Sequence, residues 1–174
     1  RGRERFGTAT GSLLHGRGHA RVYCRSNPGF HLPVAPDAPL LMVGTGTGIA
    51  PLMGLMQELQ AGDCTRDVHL VFGEKHREHD YLYREQLQDW QSGGLLAGLH
   101  TAFSRDGTEK VYVQHVLQQR ADDVRDLLSR GGHLYLCGNK RHLEGAVREA
   151  IDAIGGQGQW DALRGEGRTH CELY

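Results

Sequence analysis

The sequence has no long hydrophobic run, only four cysteines, and an almost balanced charge. No apolar stretch approaches the roughly 20 residues that a membrane-spanning helix needs. Cys24, Cys64, Cys137 and Cys171 are widely spaced and form no CxxC pair, which favours reduced thiols over a disulfide framework or a zinc site. The net charge of −1 argues against general binding to nucleic acid or membrane surfaces. We therefore expect a cytoplasmic protein with no membrane span and no nucleic-acid partner.

Eleven histidines are many for 174 residues, yet their spacing does not indicate a metal site. His76 and His79 lie three residues apart, but no second pair of ligands is evident, so we expect no bound metal. The first residues, RGRERFG, contain no apolar segment of the kind that a secretory signal peptide requires. A chain of this length suits one domain, or one domain with part of another.

From residue 38 onward, predicted strands alternate with predicted helices, which is typical of an α/β doubly wound parallel sheet. We predict strands at Leu40–Val43, Asp67–Phe72, Gly98–Phe103, His133–Cys137 and Thr169–Leu173. We predict helices at Ile49–Gln60, Tyr83–Gln91, Val113–Gln119, Ala121–Ser129 and Lys140–Ile154. Residues 1–36 differ in character, with one short predicted strand at Val22–Cys24 before a turn at Asn27-Pro28-Gly29. The chain therefore divides into a segment of residues 1–36 and a domain of residues 37–174.

The most informative stretch is LLMVGTGTGIAP, residues 40–51. Its apolar run predicts a buried strand, its glycines predict a tight turn, and the residues from Ile49 onward predict a helix. Unpaired N–H groups at the start of such a helix, next to glycines that allow close approach, bind phosphate. The spacing is neither that of the Rossmann G-x-G-x-x-G nor that of the G-x-x-x-x-G-K-[ST] loop. The residues that we expect to bind a nucleotide here are Gly44, Thr45, Gly46, Thr47 and Gly48.

Four motifs, in the same order, resemble those of the ferredoxin–NADP⁺ reductase superfamily. GTGTGIAP at residues 44–51 resembles its pyrophosphate loop, and SR followed by KVYVQ at residues 104–114 resembles its NADP-selective signature. LCGN at residues 136–139 resembles the segment beside the nicotinamide, and the terminal ELY resembles the family's acidic residue, spacer and terminal aromatic. The segments FGEKHREHDYLYREQLQDW and AFSRDGTEKVYVQ are most similar to the diflavin reductases, especially the flavoprotein subunit of sulfite reductase.

The resemblance implies a five-stranded sheet in the order 3-2-1-4-5, with ligands at the carboxyl ends of the strands. It also implies an NADP site in which Ser104, Arg105 and Lys110 hold the 2′-phosphate. A guanidinium fork and an ammonium group suit a phosphate that carries up to two negative charges. Tyr112 would stack on the adenine, and Gln114 would bond its edge. An NAD site would instead favour an acidic residue for the free hydroxyl.

On the nicotinamide side, the resemblance implies three catalytic residues. Cys137 would lie near nicotinamide C4 during hydride transfer, Glu172 would orient or stabilise the reacting groups, and Tyr174 would cover the flavin ring until the nicotinamide displaces it. The other residues expected to contact the cofactor on this side are Pro51, Gly138 and Asn139. Diflavin reductases commonly have Asp where this chain has the uncharged Asn139.

The resemblance further implies that residues 1–36 are the C-terminal remnant of an FAD-binding β-barrel domain. Its pyrophosphate-binding turn and the helix that follows would include Gly7, Thr8, Ala9 and Thr10, and FHLP at residues 30–33 would close the domain. The R-x-[YF]-[ST] motif that grips the flavin is absent from this sequence. We therefore expect a C-terminal fragment of a larger reductase, or a truncated homologue, that is inactive alone and purifies without stable FAD.

The implied reaction passes a hydride from NADPH to FAD, and then electrons to an FMN-bearing, flavodoxin-like domain or another redox partner. The cofactors supply the difficult chemistry, while the protein supplies orientation and selectivity. Two alternatives remain open from the sequence: a single-flavin reductase that serves ferredoxin or flavodoxin, and a non-catalytic NADP-binding module. A substrate dehydrogenase ranks last, because no acid–base His or Lys is evident near the strand ends.

Overall fold

A computed structural model describes residues 8–16, 19, 21, 23, 25–62 and 65–174. The elements are, in chain order, α1 (Thr8–His15), β1 (Leu40–Thr45), α2 (Ile49–Ala61), β2 (Val68–Glu74), α3 (Arg77–Asp80), α4 (Arg84–Ser92), β3 (Gly98–Phe103), α5 (Val113–Gln119), α6 (Ala121–Ser129), β4 (His133–Gly138), α7 (Lys140–Gly155), α8 (Gln159–Gly165) and β5 (Thr169–Leu173). One turn of 3-10 helix, Gly46–Gly48, joins β1 to α2. None of the helices in these described ranges is both long enough and apolar enough to cross a membrane.

The five strands form one parallel sheet in the order β3-β2-β1-β4-β5. The central strand β1 is buried along its apolar run, and its Met42 pairs with Leu70 of β2 and Tyr135 of β4. A strand buried on both faces reads as a continuous apolar run rather than an alternating one, which is the pattern of residues 40–43. The predicted doubly wound sheet and its strand order are confirmed.

Two hydrophobic cores lie on opposite faces of the sheet. Leu41 and Val43 point to the core that contains the apolar residues of α5, α6, α7 and α8. Leu40 and Met42 point to the core that contains those of α2 and α4. This division follows from the alternation of side chains along a strand. With helices covering both faces, the ligand surface left open is the edge where the strands end.

Several elements run longer than predicted or were not predicted. β1 extends to Thr45 and β2 to Glu74, which carries both strands into the edge where the glycine turn lies. The helix α8 was not predicted because it is short and follows two glycines. It is fixed by Trp160, which is buried and whose backbone N–H donates to Asp152 Oδ1 at 2.8 Å. The four-residue α3 was also not predicted.

The residues just before β1 pack against the α/β domain. Phe30 is buried in the core on the α2 side and meets the Tyr135 ring edge-on, with ring centroids 5.4 Å apart. The Tyr135 hydroxyl donates to the His31 carbonyl. Arg66 donates to the Pro33 carbonyl at 2.9 Å. The chain therefore enters the domain along a fixed path on the α2 face.

The predicted flavin-domain remnant, residues 1–36, lies partly outside the described residues. α1 begins at Thr8, where a helix was expected, but Gly7 lies outside the described residues, as do the side chains of Thr8, Ala9 and Thr10. Val22 and Cys24 of the predicted strand also lie outside them, and Tyr23 between them belongs to no strand.

Candidate functional site

A cavity of about 630 Å³ opens at the carboxyl ends of β1, β2 and β3. This is the edge where an open parallel sheet binds its ligands. The side that faces β3 is polar and cationic, while Ala102, Val113 and Leu143 supply an apolar floor. The residues that line the cavity are Thr45, Gly46, Gly73, Glu74, Lys75, Ala102, Ser104, Arg105, Lys110, Tyr112, Val113, Gln114, Asn139, His142, Leu143 and Tyr174.

The turn after β1 is built from glycines for two separate reasons. Gly46 has a φ of +57°, in the left-handed region that favours glycine. Gly48 lies against the backbone of β4, so that a Cβ there would be 2.3 Å from the Cys137 carbonyl oxygen. The turn thus lies flat on the sheet edge, with α2 starting directly behind it. A glycine turn directly before a helix is an arrangement that can bind an anion, and Gly46 of this turn lines the cavity.

The cationic side of the cavity follows β3. The N–H of Ser104 donates to the Glu74 carbonyl at 2.9 Å, and the N–H of Arg105 donates to the Lys75 carbonyl at 2.9 Å. These bonds continue the β2–β3 ladder past the end of β3. Within the described residues, neither Arg105 nor Lys110 forms an ion pair with a carboxylate. Their positive charges therefore remain available to an anionic ligand.

The loop after β3 is tied to the loop after β2. Asp106 accepts hydrogen bonds from the Arg77 N–H through both carboxylate oxygens, at 3.1 and 3.3 Å, and lies 3.5 Å from His76 Nδ1. Arg77 also donates to Thr101 Oγ1 at 3.2 Å and lies over the Phe103 ring. The carboxylate that follows Arg105 thus fixes the two loops relative to each other.

Tyr112 and Gln114 also line the cavity, at the start of α5. Tyr112 exposes 42% of its surface, and its ring meets His115 edge-on with centroids 5.7 Å apart. The Tyr112 N–H donates to His115 Nδ1 at 3.3 Å, at the start of α5. An exposed aromatic ring at the mouth of a cavity can stack on a planar ligand group.

Three ionisable residues of the cavity wall, Glu74, Lys75 and His142, are not among those predicted from the sequence. Glu74 and Lys75 lie on the cavity wall because β2 extends to Glu74, beyond the end predicted for that strand. His142 lies in the first turn of α7, which begins beside the cavity. The strand order was the one available signal, because β2 lies between β1 and β3 and must end at the same edge.

Some of the other residues expected in the site do not line the cavity wall. Gly44 is buried within β1 and pairs with Cys137, and Pro51 is the third residue of α2. Asn139 lines the wall, but its side chain also caps α7 by accepting from the Arg141 N–H at 3.1 Å. The expected residues that do not line it are Gly44, Thr47, Gly48, Pro51, Cys137, Gly138 and Glu172.

The end of the chain crosses the glycine turn. The Tyr174 N–H donates to the Gly138 carbonyl at 3.1 Å, and the Tyr174 carbonyl accepts from the Lys140 N–H at 3.0 Å. The Tyr174 hydroxyl lies 2.7 Å from Thr47 Oγ1, in hydrogen-bond contact. The ring is 62% exposed and also lines the cavity. The terminal aromatic therefore links the glycine turn to the open side of the site.

Cys137 and Glu172 are neighbours on adjacent strands with different environments. Cys137 is completely buried in the core on the α2 side, and burial, followed by the nearby Glu172 carboxylate, raises the pKa of its thiol to about 11. Glu172 is exposed, and its Oε2 accepts from Asn27 Nδ2 at 2.6 Å. The Cys137 sulfur is thus a neutral thiol at physiological pH, while the carboxylate faces the segment that precedes the domain.

A stack of rings supports β5 two residues before Glu172. The rings of Tyr135 and His170 stack with centroids 4.4 Å apart, and those of His170 and His133 with centroids 5.3 Å apart. His170 Nδ1 is 3.1 Å from the Gly29 carbonyl, so it must carry the proton, and its bare Nε2 accepts from His133 Nδ1 at 3.0 Å. Burial, with the neighbouring His170 next, lowers the pKa of His133 to about 4. Both rings are therefore neutral.

Among the described residues, no group of three or more His, Cys, Asp or Glu side chains is placed to hold a metal ion. His76 and His79 have ring centroids 6.5 Å apart, and a third ligand does not join them.

Comparison with known proteins identifies the family of this site. The family described as "Oxidoreductase NAD-binding domain" matches residues 42–149, which include the glycine turn and the loop after β3. The chain is 38% identical over 156 residues to NADPH oxidoreductase A of Dictyostelium discoideum, covering 88% of this chain and 25% of that protein. It is 38% identical over 155 residues to the sulfite reductase [NADPH] flavoprotein alpha-component of Shewanella oneidensis, covering 88% of this chain and 26% of that protein. The Bacillus subtilis protein of the same name is 37% identical over 130 residues, covering 75% of this chain and 22% of its own length.

The chain thus spans about a quarter of the length of these curated relatives. Their names confirm the predicted likeness to sulfite reductase flavoproteins, and the sheet order confirms the predicted fold. The chain therefore belongs to the oxidoreductase NAD-binding domain family, as its resemblance to the ferredoxin–NADP⁺ reductases predicted.

Proposed function

We propose that this chain is the NADP(H)-binding part of a flavoprotein reductase and that it holds the dinucleotide in the cavity described above. The observation that carries the proposal is the presence of two cations without a carboxylate partner among the described residues, Arg105 and Lys110, in one cavity with Gly46 of the glycine turn. A dinucleotide with a 2′-phosphate has two anionic groups, the pyrophosphate and the 2′-phosphate, and both need cationic or N–H donors. The donor set therefore fits the ligand.

The residues divide by the ligand group that each would hold. The turn Gly46–Gly48 and the start of α2 would receive the pyrophosphate on backbone N–H groups. Ser104, Arg105 and Lys110 would hold the 2′-phosphate, with the guanidinium able to bond it through two nitrogens. Tyr112 is exposed at the cavity mouth and would stack on the adenine, and Gln114 lies on the wall beside it.

The nicotinamide would lie on the other side of the glycine turn, toward β4 and β5. Pro51, Gly138 and Asn139 flank this side, and Cys137 would back it as a buried neutral thiol that needs no ionisation for its role. Glu172 would carry a negative charge at the junction with the segment before the domain. Tyr174 is anchored through its backbone but exposed at its ring, so the ring can move while the chain end stays fixed.

We further propose that FAD is the group that accepts the hydride from NADPH, and that an upstream domain supplies most of its site. Residues 1–36 would be the end of that FAD-binding domain, with Gly7–Thr10 on the flavin pyrophosphate. The matched region is only about a quarter of each relative, and these relatives are named as an NADPH oxidoreductase and an NADPH flavoprotein, which supports the presence of further domains. An FMN-bearing, flavodoxin-like domain or another redox partner would take the electrons onward. The free thiols of Cys137 and Cys171 suit a cytoplasmic location.

Calorimetric titration with NADP⁺ tests the proposal through Arg105. Replacing Arg105 with Ala should weaken NADP⁺ binding roughly 10-fold to 100-fold, because a charge-assisted contact to phosphate contributes about 1.5–3 kcal/mol. Binding of NAD⁺ should change little. Arg164→Ala is the matched control, since Arg164 is an exposed arginine of α8 that does not line the cavity. Equal loss for both nucleotides, or an equal effect of the control, would remove the 2′-phosphate assignment.

A further inference from the structure

Glu74 is an unexpected residue in a cavity proposed to bind phosphates. It is the last residue of β2, is half-buried, and lines the cavity directly beside the glycine turn. A Cβ at Gly46 would lie 3.4 Å from Glu74 Oε1, so this oxygen is in contact distance of the turn. A carboxylate so close to a bound pyrophosphate would repel it, and a hydrogen bond from a donor on the ligand to the carboxylate would offset that repulsion.

The two oxygens of Glu74 have different surroundings. Oε2 accepts the N–H of the following residue, Lys75, at 2.6 Å, which fixes the carboxylate at the end of the strand. Oε1 accepts no hydrogen bond from any described residue, and Glu74 forms no ion pair among them. An ionised carboxylate can only accept hydrogen bonds. The geometry thus leaves one oriented acceptor that faces the cavity without a donor.

The position of Glu74 in the sheet selects the part of the ligand that can supply the donor, on the basis of the function proposed above. β1 ends at the glycine turn proposed to hold the pyrophosphate, β3 leads into the loop proposed to hold the 2′-phosphate, and β2 lies between them. In NADP, the group that connects the pyrophosphate to the 2′-phosphate is the adenosine ribose. The nicotinamide ribose lies beyond the pyrophosphate on the opposite side, toward β4.

We propose that Glu74 Oε1 accepts a hydrogen bond from the 3′-hydroxyl of the adenosine ribose. Phosphate oxygens cannot donate in their ionised form, and the 3′-hydroxyl is the one free hydroxyl of this ribose in NADP. The bond positions the ribose between the two phosphate sites, and Lys75 beside it partly offsets the added negative charge. Glu74 also favours the binding of NAD⁺, because the adenosine ribose of NAD⁺ presents two adjacent hydroxyls to the same carboxylate. Glu74 therefore limits how strongly this chain discriminates against NAD⁺.

A double-mutant cycle between the protein and the ligand tests this inference by calorimetry. The probes are adenosine 2′,5′-bisphosphate and its 3′-deoxy analogue, titrated into the unaltered chain, Glu74→Ala and the control Glu78→Ala. Glu78 is an exposed carboxylate on α3 that does not line the cavity, so it controls for the loss of one negative charge in the same segment. The unaltered chain and the control should each bind the deoxy analogue about 10-fold more weakly than the bisphosphate. Glu74→Ala should bind the two probes within about twofold of each other.

The unaltered chain gives a result that does not depend on the folding of any variant. If it binds both probes equally, or if Glu74→Ala keeps the full difference, the assignment of the 3′-hydroxyl is overturned while the nucleotide site stands. If the unaltered chain does not bind the bisphosphate, or if Arg105→Ala leaves that binding unchanged, the proposed function itself fails and this inference fails with it. As a second readout, Glu74→Ala should weaken NAD⁺ binding more than NADP⁺ binding, and the opposite order would also overturn the role of Glu74 in selectivity.

Discussion

Substituting Gly48 with Ala should disrupt the glycine turn by a direct backbone clash. The new Cβ would lie 2.3 Å from the Cys137 carbonyl oxygen, 2.6 Å from its carbon and 2.7 Å from the Gly138 nitrogen. Nonbonded carbon atoms normally separate by about 3.5 Å, so the overlap is close to 1 Å. The atoms that would have to move are backbone atoms at the end of β4, which is buried and paired on both sides.

The loss of folding stability caused by this clash can be estimated, and a second glycine with free space around it serves as a control. Overpacking against a rigid neighbour costs about 1–3 kcal/mol, and the absence of any flexible side chain at this contact places Gly48→Ala at about 3 kcal/mol. Gly54, within α2, has nothing within 4 Å of its Cβ position. Gly54→Ala should therefore raise stability by about 0.5–1 kcal/mol, through the better helix propensity of Ala.

Thermal and urea unfolding followed by circular dichroism measures both effects. For a domain of this size, about 2–4 °C of Tm accompanies each kcal/mol, so Gly48→Ala should lower Tm by about 6–12 °C. Gly54→Ala should raise it by about 1–4 °C. A Gly48→Ala chain with unchanged Tm and unchanged NADP⁺ affinity would refute the argument, because the turn would then tolerate a side chain where the structure has none.

Three further changes test separate contacts. Tyr174→Phe removes the hydroxyl that contacts Thr47, which should free the Thr47 hydroxyl for the ligand and tighten NADP⁺ binding about threefold in calorimetry. Asp106→Asn weakens the carboxylate's contacts with the Arg77 N–H, which should loosen the two cavity loops and weaken NADP⁺ binding about threefold to tenfold. His133 is held neutral in the fold, with a pKa of about 4 against 6.5 for the free side chain, so the unfolded chain binds more protons between these values and stability should fall as pH drops from 6.5 to 4. His133→Asn should flatten that pH dependence in urea titrations.

Each of these changes also has a result that would contradict it. Weaker NADP⁺ binding by Tyr174→Phe would mean that the phenol itself contacts the ligand. An unchanged affinity in Asp106→Asn would mean that the loops hold their shape without the carboxylate. If His133→Asn leaves the pH slope as steep as before, another group governs acid sensitivity in that range.

The sheet and the position of the loop after β3 were predictable because local patterns determine them. The apolar runs at residues 40–43 and 133–137 predict buried strands. The glycines after residue 43 predict a turn at the sheet edge, and neither prediction needs information from distant parts of the chain. Ser104, Arg105 and Lys110 all lie on the cavity wall because they follow the end of β3, a position that the strand prediction placed correctly. The order of the strands and the position of the loop after β3 are therefore enough to predict that these three residues lie at the same sheet edge as the glycine turn.

Other features depend on contacts that no local pattern encodes. The Thr47–Tyr174 contact joins residues that are 127 positions apart in the sequence. The hydrogen bond from Asn27 to Glu172 joins residues that are 145 positions apart. Cys137 lies on the strand beside the site, but the alternation of β4 turns its side chain into the core with Met42 and Leu52. The likeness of LCGN to a cofactor-binding segment predicts the strand end, but not the direction in which the thiol points.

The central claim is that this chain binds NADP⁺ across the ends of β1, β2 and β3, and amide chemical shifts test that location directly. In an isotope-labelled chain titrated with NADP⁺, the amide signals of Gly46–Gly48 and Ser104–Lys110 should move together at one affinity. The same titration with NAD⁺ should leave the Ser104–Lys110 signals close to their starting positions. Shifts confined to the separate groove lined by Leu59, Trp90 and Leu95, or no shifts at all, would contradict the account.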